Sequence, residues 1–536
     1  METDLDRFDS RRSTVYANRG VVATSQPLAA EAGVGVLREG GNAFDAAVAT
    51  AAALNVVEPM STGIGGDAFA LYRTANGDVG AMRSCGGAPE QATREAVRGR
   101  LAEDATMPDV GPLTITVPGA ARGWAHTVAE HGRLSFERVL QPAIEYATEG
   151  YPVSEIIADA WAACAERFTS DAAQEAYLPG GSAPDVGQTV RLPALGETFE
   201  TVAREGVEVF YEGGIAEQIG DAVQAEGGLL TAEDLDGFSP ESVDPVMTTY
   251  RGATVYELPP NNQGLIALEA LNVAAELDAS DYAYDSPARV HYFAEALKRA
   301  FHDGHHYITD PNFESVPALH DPAYAAERAA TVGETAGDVS IGGPGLPDEH
   351  SDTVLLTVAD EAGNVVSFIN SLYNGFGSGV VVPDTGIILQ NRGASFTLDP
   401  AHPNTLEPGK KPFHTLIPGL VEFDGSDDGE DWAAFGVMGG FMQPQGHLQV
   451  LSNLLDYEMP LQRALDAPRW RYTEDGTLAL EEGLAGQMGA ALARRGHDVR
   501  VLPPRRFGGG QIARRTGDGT LSAATEPRKD GSAVGF

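Results

Sequence analysis

A threonine and a serine face each other at the open end of a hairpin when residues 353–371 are read by their hydropathy. TVLLTVA at 353–359 and VVSFINS at 365–371 read as paired strands, and DEAGN at 360–364 joins them with a glycine that supplies φ > 0. Pairing Asp360 with Asn364 fixes the index sum of facing residues at 724, which sets Thr353 against Ser371 with Cβ atoms about 5 Å apart. Two such hydroxyls are ordinarily only a cross-strand pair; they are also what a hydroxyl nucleophile and its hydrogen-bonding neighbour would look like. Other chemistry is poorly supported. His302 and His306 in HDGHH lie one helical turn apart, but no third ligand is spaced with them and Gly304 weakens the helix. GIGG at 63–66 lacks the third glycine and the downstream acid of a dinucleotide fingerprint and reads as a turn. There is no Gly-x-Ser-x-Gly elbow and no Ser-x-x-Lys, and Cys85 has no nearby base to activate it as a nucleophile.

These residues need a scaffold. Residues 25–57 read as two helices, the first capped at Ser25 with Pro27 in its first turn and a stop at Gly40-Gly41, the second opened by Asn42. The second is alanine and valine on nearly every side, so it belongs buried against a sheet. A turn-rich loop at 58–66 leads into a strand at 68–73. From about 134 to 328 the pattern is mostly helical, with Ser154 and Thr231 as caps. From 352 onward the texture changes to strands at 353–359, 365–371, 386–391 and 432–437, followed by a helix at 443–455. An acidic stretch at 424–431 reads as a loose loop.

The chain has 536 residues, with 36 basic against 77 acidic side chains and a formal charge of −41. Such a field repels polyanions, which argues against a nucleic-acid partner or an acidic membrane surface. The apolar share of 43% is that of a globular chain with a sizeable core. Lysine is nearly absent, only Lys298, Lys410, Lys411 and Lys529, and this excess of carboxylates is expected of a salt-adapted surface. Two cysteines, Cys85 and Cys164, give no disulfide framework. The N-terminal residues lack the pattern of a secretory signal, and the apolar run at 46–57 is too short to span a bilayer. A cytoplasmic protein is expected.

SQPLAAEAG at 25–33, GGNAFDAA at 40–47, EP at 58–59 with GIGG at 63–66, and GSGVVVPDTGIIL at 377–389 resemble, in this order, motifs of the γ-glutamyltransferase family of N-terminal nucleophile hydrolases. The resemblance runs from about residue 19 to 512. It implies a four-layer αββα sandwich made as one precursor that cuts itself between Asp352 and Thr353. Residues 1–352 would form the large subunit and 353–536 the small one, together a single αββα unit with room for a dimer of heterodimers. Thr353 would then be both nucleophile and base, because a freed α-amine, with a usual pKa of about 7.7–8.0, can take the hydroxyl proton. Ser371 sits where the family carries a second hydroxyl bonded to the nucleophile, and the hairpin register reaches that pairing separately. Gly439 and Gly440 correspond to the family's oxyanion hole, with a helix dipole behind their amides. No cofactor and no metal is implied.

The substrate pocket departs from the family. The arginine that holds the α-carboxylate of a γ-glutamyl group is replaced by Cys85, with Arg83 two residues earlier on the same strand face. The Ser-Ser pair becomes His414-Thr415, Tyr373 stands where an asparagine contacts the amino group, and the amide and acidic residues of the following motif become Arg392 and Ser395. The ammonium-binding acid is lost while a cation is gained, so the expected substrate is a small-molecule amide with an anionic acyl group, and glutathione is expected to be a poor one. The short, proline-bearing 397–411 segment replaces the family's lid loop. The reading is an acyltransferase or amidohydrolase acting through a Thr353 acyl-enzyme, with an oxamate-type or other acyl amidohydrolase as its variant. A non-catalytic binding protein on the same fold is the rival, since Val354-Leu355 replaces the usual Thr-His after the nucleophile.

Overall fold

The computed structural model describes residues 12–102, 105–168, 170–342, 351–423 and 430–536. Two seven-stranded sheets lie face to face. One runs in the order 532–535, 20–24, 351–360, 365–374, 67–73, 79–84 and 241–243, and the other in the order 15–17, 521–525, 509–515, 431–438, 419–423, 253–257 and 246–250. All pairings within these two sheets are antiparallel.

The side-chain period of two along each strand makes the layers. Val354, Leu356 and Val358 of strand Ser351–Asp360 point outward and pack, with Ala68, Ala70, Val366 and Phe368, against helix Ala43–Val57. Leu355 and Ala359 point the other way, joining Phe69, Leu71, Val365 and Ile369 against Leu420, Ala434, Ala513 and Ala523 of the second sheet. The outer face of that sheet (Val421, Ala433, Phe435, Val437, Ile512) is covered by helices Gly264–Glu276, Pro287–Tyr307 and Met442–Leu455. The result is the αββα sandwich. Every residue of helix Ala43–Val57 is buried, in keeping with its all-round apolar surface, and Asn42 and Asp45 close its first turn as a reciprocal capping box.

Several elements differ from the sequence reading. The first helix is capped by Gln26, whose amide oxygen accepts from the N–H groups of Leu28 and Ala29, while the Ser25 hydroxyl donates to Glu58 at 2.6 Å. Residues 386–391 do not extend either main sheet: Ile387–Ile388 forms a small ribbon with Val381–Val382. The largely helical middle region contains Glu241–Val243, Val246–Tyr250 and Ala253–Glu257, which supply edge strands to both sheets. Ser154 and Thr231 cap helices as expected. Most of the acidic 424–431 stretch lies outside the described residues.

Candidate active site

The hairpin holds the index sum of 724 from Ala359↔Val365 down to Val354↔Asn370, then shifts to Asp352↔Tyr373. Ser371 and Leu372 together oppose Thr353, so a bulge lies at the strand start, a device that re-aims a side chain. The two hydroxyls meet as expected, Thr353 Oγ1 lying 3.2 Å from Ser371 Oγ, with Thr353 only 1% exposed. Ser371 Oγ also accepts the N–H of Tyr373 at 2.7 Å, and Tyr373, where the pairing resumes after the bulge, adopts φ 84°.

Across the next strand Ser371 pairs with Asp67. The register of the strand beyond runs Ala68↔Ser84, so Cys85 lies just past that row's end. Thr353, Ser371, Asp67 and Cys85 thus mark out a line across four neighbouring strands, at about 4.8 Å per strand. Sequence reading passed over Asp67; its signal was an acid directly after Gly65-Gly66 in the register slot beside Ser371.

Asp67 is fully buried and accepts from Gly119 N–H (3.1 Å), the Gln390 amide (3.0 Å) and His414 Nε2 (3.0 Å). His414 Nδ1 accepts from Leu416 N–H at 3.3 Å, which leaves the Nε2 proton for Asp67. Burial pushes the Asp67 carboxyl up to about 7, with the Arg392 charge and the Gln390 and Gly119 hydrogen bonds opposing. Burial, helped by the charges of Arg392 and Arg83, holds His414 well below the usual histidine range, so it is neutral.

Arg392 is 0% exposed. Its Nη1 donates to Thr415 Oγ1 at 2.9 Å, and its guanidinium lies 4.1 Å from the centre of the Tyr373 ring, while Nε and Nη2 have no protein partner. Ser395 Oγ is likewise buried without a partner. Arg83 is placed differently: its fork is engaged by Glu241 (2.7 Å) and the Pro260 carbonyl. Cys85 is buried, and desolvation, then the Asp67 charge, pushes its thiol up to about 12, which keeps it neutral and unreactive.

Gly439 and Gly440 have φ of 114° and 56°, a conformation closed to most side chains, and sit directly before helix Met442–Leu455. The carbonyl of Gly440 accepts from the Gln263 amide at 3.0 Å, which also holds the Thr415 carbonyl at 2.6 Å and so ties the glycine turn to the His414-Thr415 segment. The 302–306 histidines go elsewhere: His302 and His305 face the carbonyls of Ser340 and Ile341. Among the described residues the one group with metal-ligand spacing is His291, Glu295 and His497, and there Glu295 is already held by Lys298 and Arg299, whose charges oppose a cation.

Two facing sheets between helical layers, with a hydroxyl at the bulged start of a central strand, are the architecture of the N-terminal nucleophile hydrolases. Residues 29–536 match the family model Gamma-glutamyltranspeptidase, and the chain belongs to that family. It is 37% identical to the glutathione hydrolase-like YwrD proenzyme of Bacillus subtilis (98% of this chain and 99% of that one), and 36% identical to the oxamate amidohydrolase proenzyme of Klebsiella pneumoniae (98% and 100%). A solved cephalosporin acylase from Bacillus halodurans superposes with a TM-score of 0.90 at 43% identity, covering 100% of this chain and 99% of its own. The family makes this chain an enzyme of amide hydrolysis or acyl transfer. No helix among the described residues is long and apolar enough to cross a membrane.

Proposed function

We propose that the chain cuts itself before Thr353 and then hydrolyses or transfers an anionic acyl group from an amide through an ester on Thr353 Oγ1. The observation that carries this reading is the buried 3.2 Å contact between the Thr353 and Ser371 hydroxyls, with the partly unpartnered Arg392 one aromatic ring away. In the precursor the Thr353 hydroxyl attacks the Asp352 carbonyl, the peptide bond becomes an ester, and water resolves it. The freed α-amine then serves as the base that the hydroxyl needs. Ser371 orients that hydroxyl. The Gly439 and Gly440 amides hold the oxyanion, a role typically worth several kcal/mol. Departure of the segment ending at Asp352 opens a nucleophile that is 1% exposed in the uncut chain.

Arg392 supports the substrate assignment. A guanidinium with Nε and Nη2 unpartnered and 0% exposed presents the geometry of bidentate carboxylate capture. Arg83, held by Glu241, adds background positive charge near His414. Tyr373 walls the site, Thr415 fixes Arg392, and Ser395 offers a hydroxyl to the substrate. We place the enzyme in the cytoplasm of a cell with high internal salt, on the strength of its charge of −41. Turnover of glutaryl, γ-glutamyl and oxamate amides by wild type and Thr353→Ala tests the reading. Glutaryl anilide is expected to be the best substrate and the variant to be both uncut and inactive; an active Thr353→Ala would overturn it.

A further inference from the structure

Nothing so far assigns a task to Asp67, a carboxyl with no exposed surface that pairs in register with the nucleophile's neighbour Ser371 and feels the charge of Arg392, a guanidinium with unfilled nitrogens. Three donors converge on it: a backbone N–H, a carboxamide and an imidazole N–H whose tautomer is fixed by Leu416. Such a cradle holds the carboxyl in one place. Arg392 is its counter-charge, yet no hydrogen bond joins the two; the guanidinium is instead fixed by Thr415 and Tyr373 with its other two nitrogens unfilled. Arg392 is therefore shared through space between Asp67 and whatever enters the pocket.

We infer that Asp67 decides which acyl groups this site accepts: carrying a proton it leaves the charge of Arg392 to a carboxylate tail, and ionised it cancels that charge and turns such tails away. The inference rests on the assignment of Thr353 as nucleophile and Arg392 as anion receptor. The geometry gives the reach. Asp67 lies two strands from Thr353, roughly 10 Å at the usual strand spacing, so an acyl chain of a few carbons bonded to Thr353 reaches toward Asp67, whose carboxyl feels the charge of Arg392. Two carboxylates there repel strongly in a dry site unless one is protonated.

Burial pushes Asp67 up to about 7, so its charge changes in the working range. The other ionisable groups around it do not compete. His414 is held neutral, the Cys85 thiol is pushed up to about 12, and burial raises Tyr211, whose hydroxyl donates to the Pro118 carbonyl. Burial lowers the Arg392 pKa, with the charges of Asp67, Tyr373 and Cys85 opposing, and the guanidinium stays cationic because it starts from so high a value. An anionic tail arriving beside Asp67 raises its affinity for a proton further, so such substrates bind with proton uptake while uncharged ones do not.

The test compares two acyl 4-nitroanilides of equal chain length, glutaryl and pentanoyl, on the self-cleaved enzyme. The ratio of their kcat/KM values cancels the titration of the Thr353 amine, which both substrates share. In wild type the glutaryl-to-pentanoyl ratio is expected to fall about tenfold or more between about pH 6 and about pH 9, through KM rather than kcat. In Asp67→Asn the ratio is expected to be flat across that range. A wild-type ratio that favours glutaryl equally at every pH would overturn the role of Asp67 while leaving Arg392 as the anion receptor, and this arm decides even if the variant fails to fold. A ratio that falls in Asp67→Asn as in wild type would overturn it as well. No preference for glutaryl at any pH would overturn the anionic-acyl reading and this inference with it.

Discussion

Replacing Arg392 by methionine separates the needs of the pocket from those of the fold. The substitution removes one hydrogen bond, to Thr415 Oγ1, and one cation–π contact, with Tyr373. Each contributes about 1 kcal/mol of stability. It also removes a buried charge with two unpartnered nitrogens, and each such buried donor costs about 1–3 kcal/mol. The second group of terms matches or exceeds the first, so Arg392→Met is expected to melt at or above the wild-type temperature. Asp67, relieved of the neighbouring cation that lowers its pKa, shifts further upward and stays protonated at neutral pH, so no orphaned charge is left behind. Function moves the other way. Losing a charge-assisted contact worth about 1.5–3 kcal/mol lowers the glutaryl-to-pentanoyl preference about 10- to 150-fold. Paired measurements of thermal melting and of that ratio check both halves. A variant that melts several degrees lower with its acyl preference intact would refute the assignment, because Arg392 would then be a structural residue.

Three further outcomes are expected. Ser371→Ala should lower kcat about 10- to 100-fold and destabilise the chain by about 1–3 kcal/mol, since the Tyr373 N–H loses its buried acceptor; unchanged single-turnover rates would show that the Thr353 hydroxyl needs no partner. Glu526 is fully buried, and although desolvation raises its pKa, Arg469, Arg528 and the Gly510 N–H outweigh this and leave it lowered. Its stabilisation is therefore full above the unfolded glutamate pKa and is lost as pH falls through the folded one; Glu526→Gln should cost about 3–5 kcal/mol at neutral pH and flatten the acid limb of the stability curve, and an unaltered acid limb would exclude it as the titrating group. With a net charge of −41, activity and melting temperature should both drop when molar salt is dialysed away; undiminished activity at low salt would remove the salt-adaptation argument.

The strand register was legible in the sequence because alternation and a glycine turn specify it locally, and the sum of 724 holds over six consecutive pairs, Val354↔Asn370 to Ala359↔Val365. The bulge at Thr353 was not legible, because its cause lies in non-local bonds: Leu372 N–H is drawn to the Ser61 carbonyl and Leu372 O to Asn391 N–H. Arg83 shows the same limit. Its face on the strand followed from the period of two, but its ion-pair partner Glu241 sits on a strand inside a region whose pattern is dominated by helices. Arg392 was reached through the family resemblance, as a cation standing in the motif's amide and acid positions, whereas Asp67 looked like an ordinary strand start until two registers were laid side by side. Ser25 fitted the propensity for a cap, yet Gln26 performs it, since the serine hydroxyl is claimed by buried Glu58.

Intact-mass analysis with N-terminal sequencing of the purified, salt-incubated protein bears most directly on the central claim. Two fragments are expected, the shorter beginning with Thr353 and its free amine. A single chain near 56.3 kDa that still turns over amides, or a shorter fragment that starts at any other residue, would contradict it.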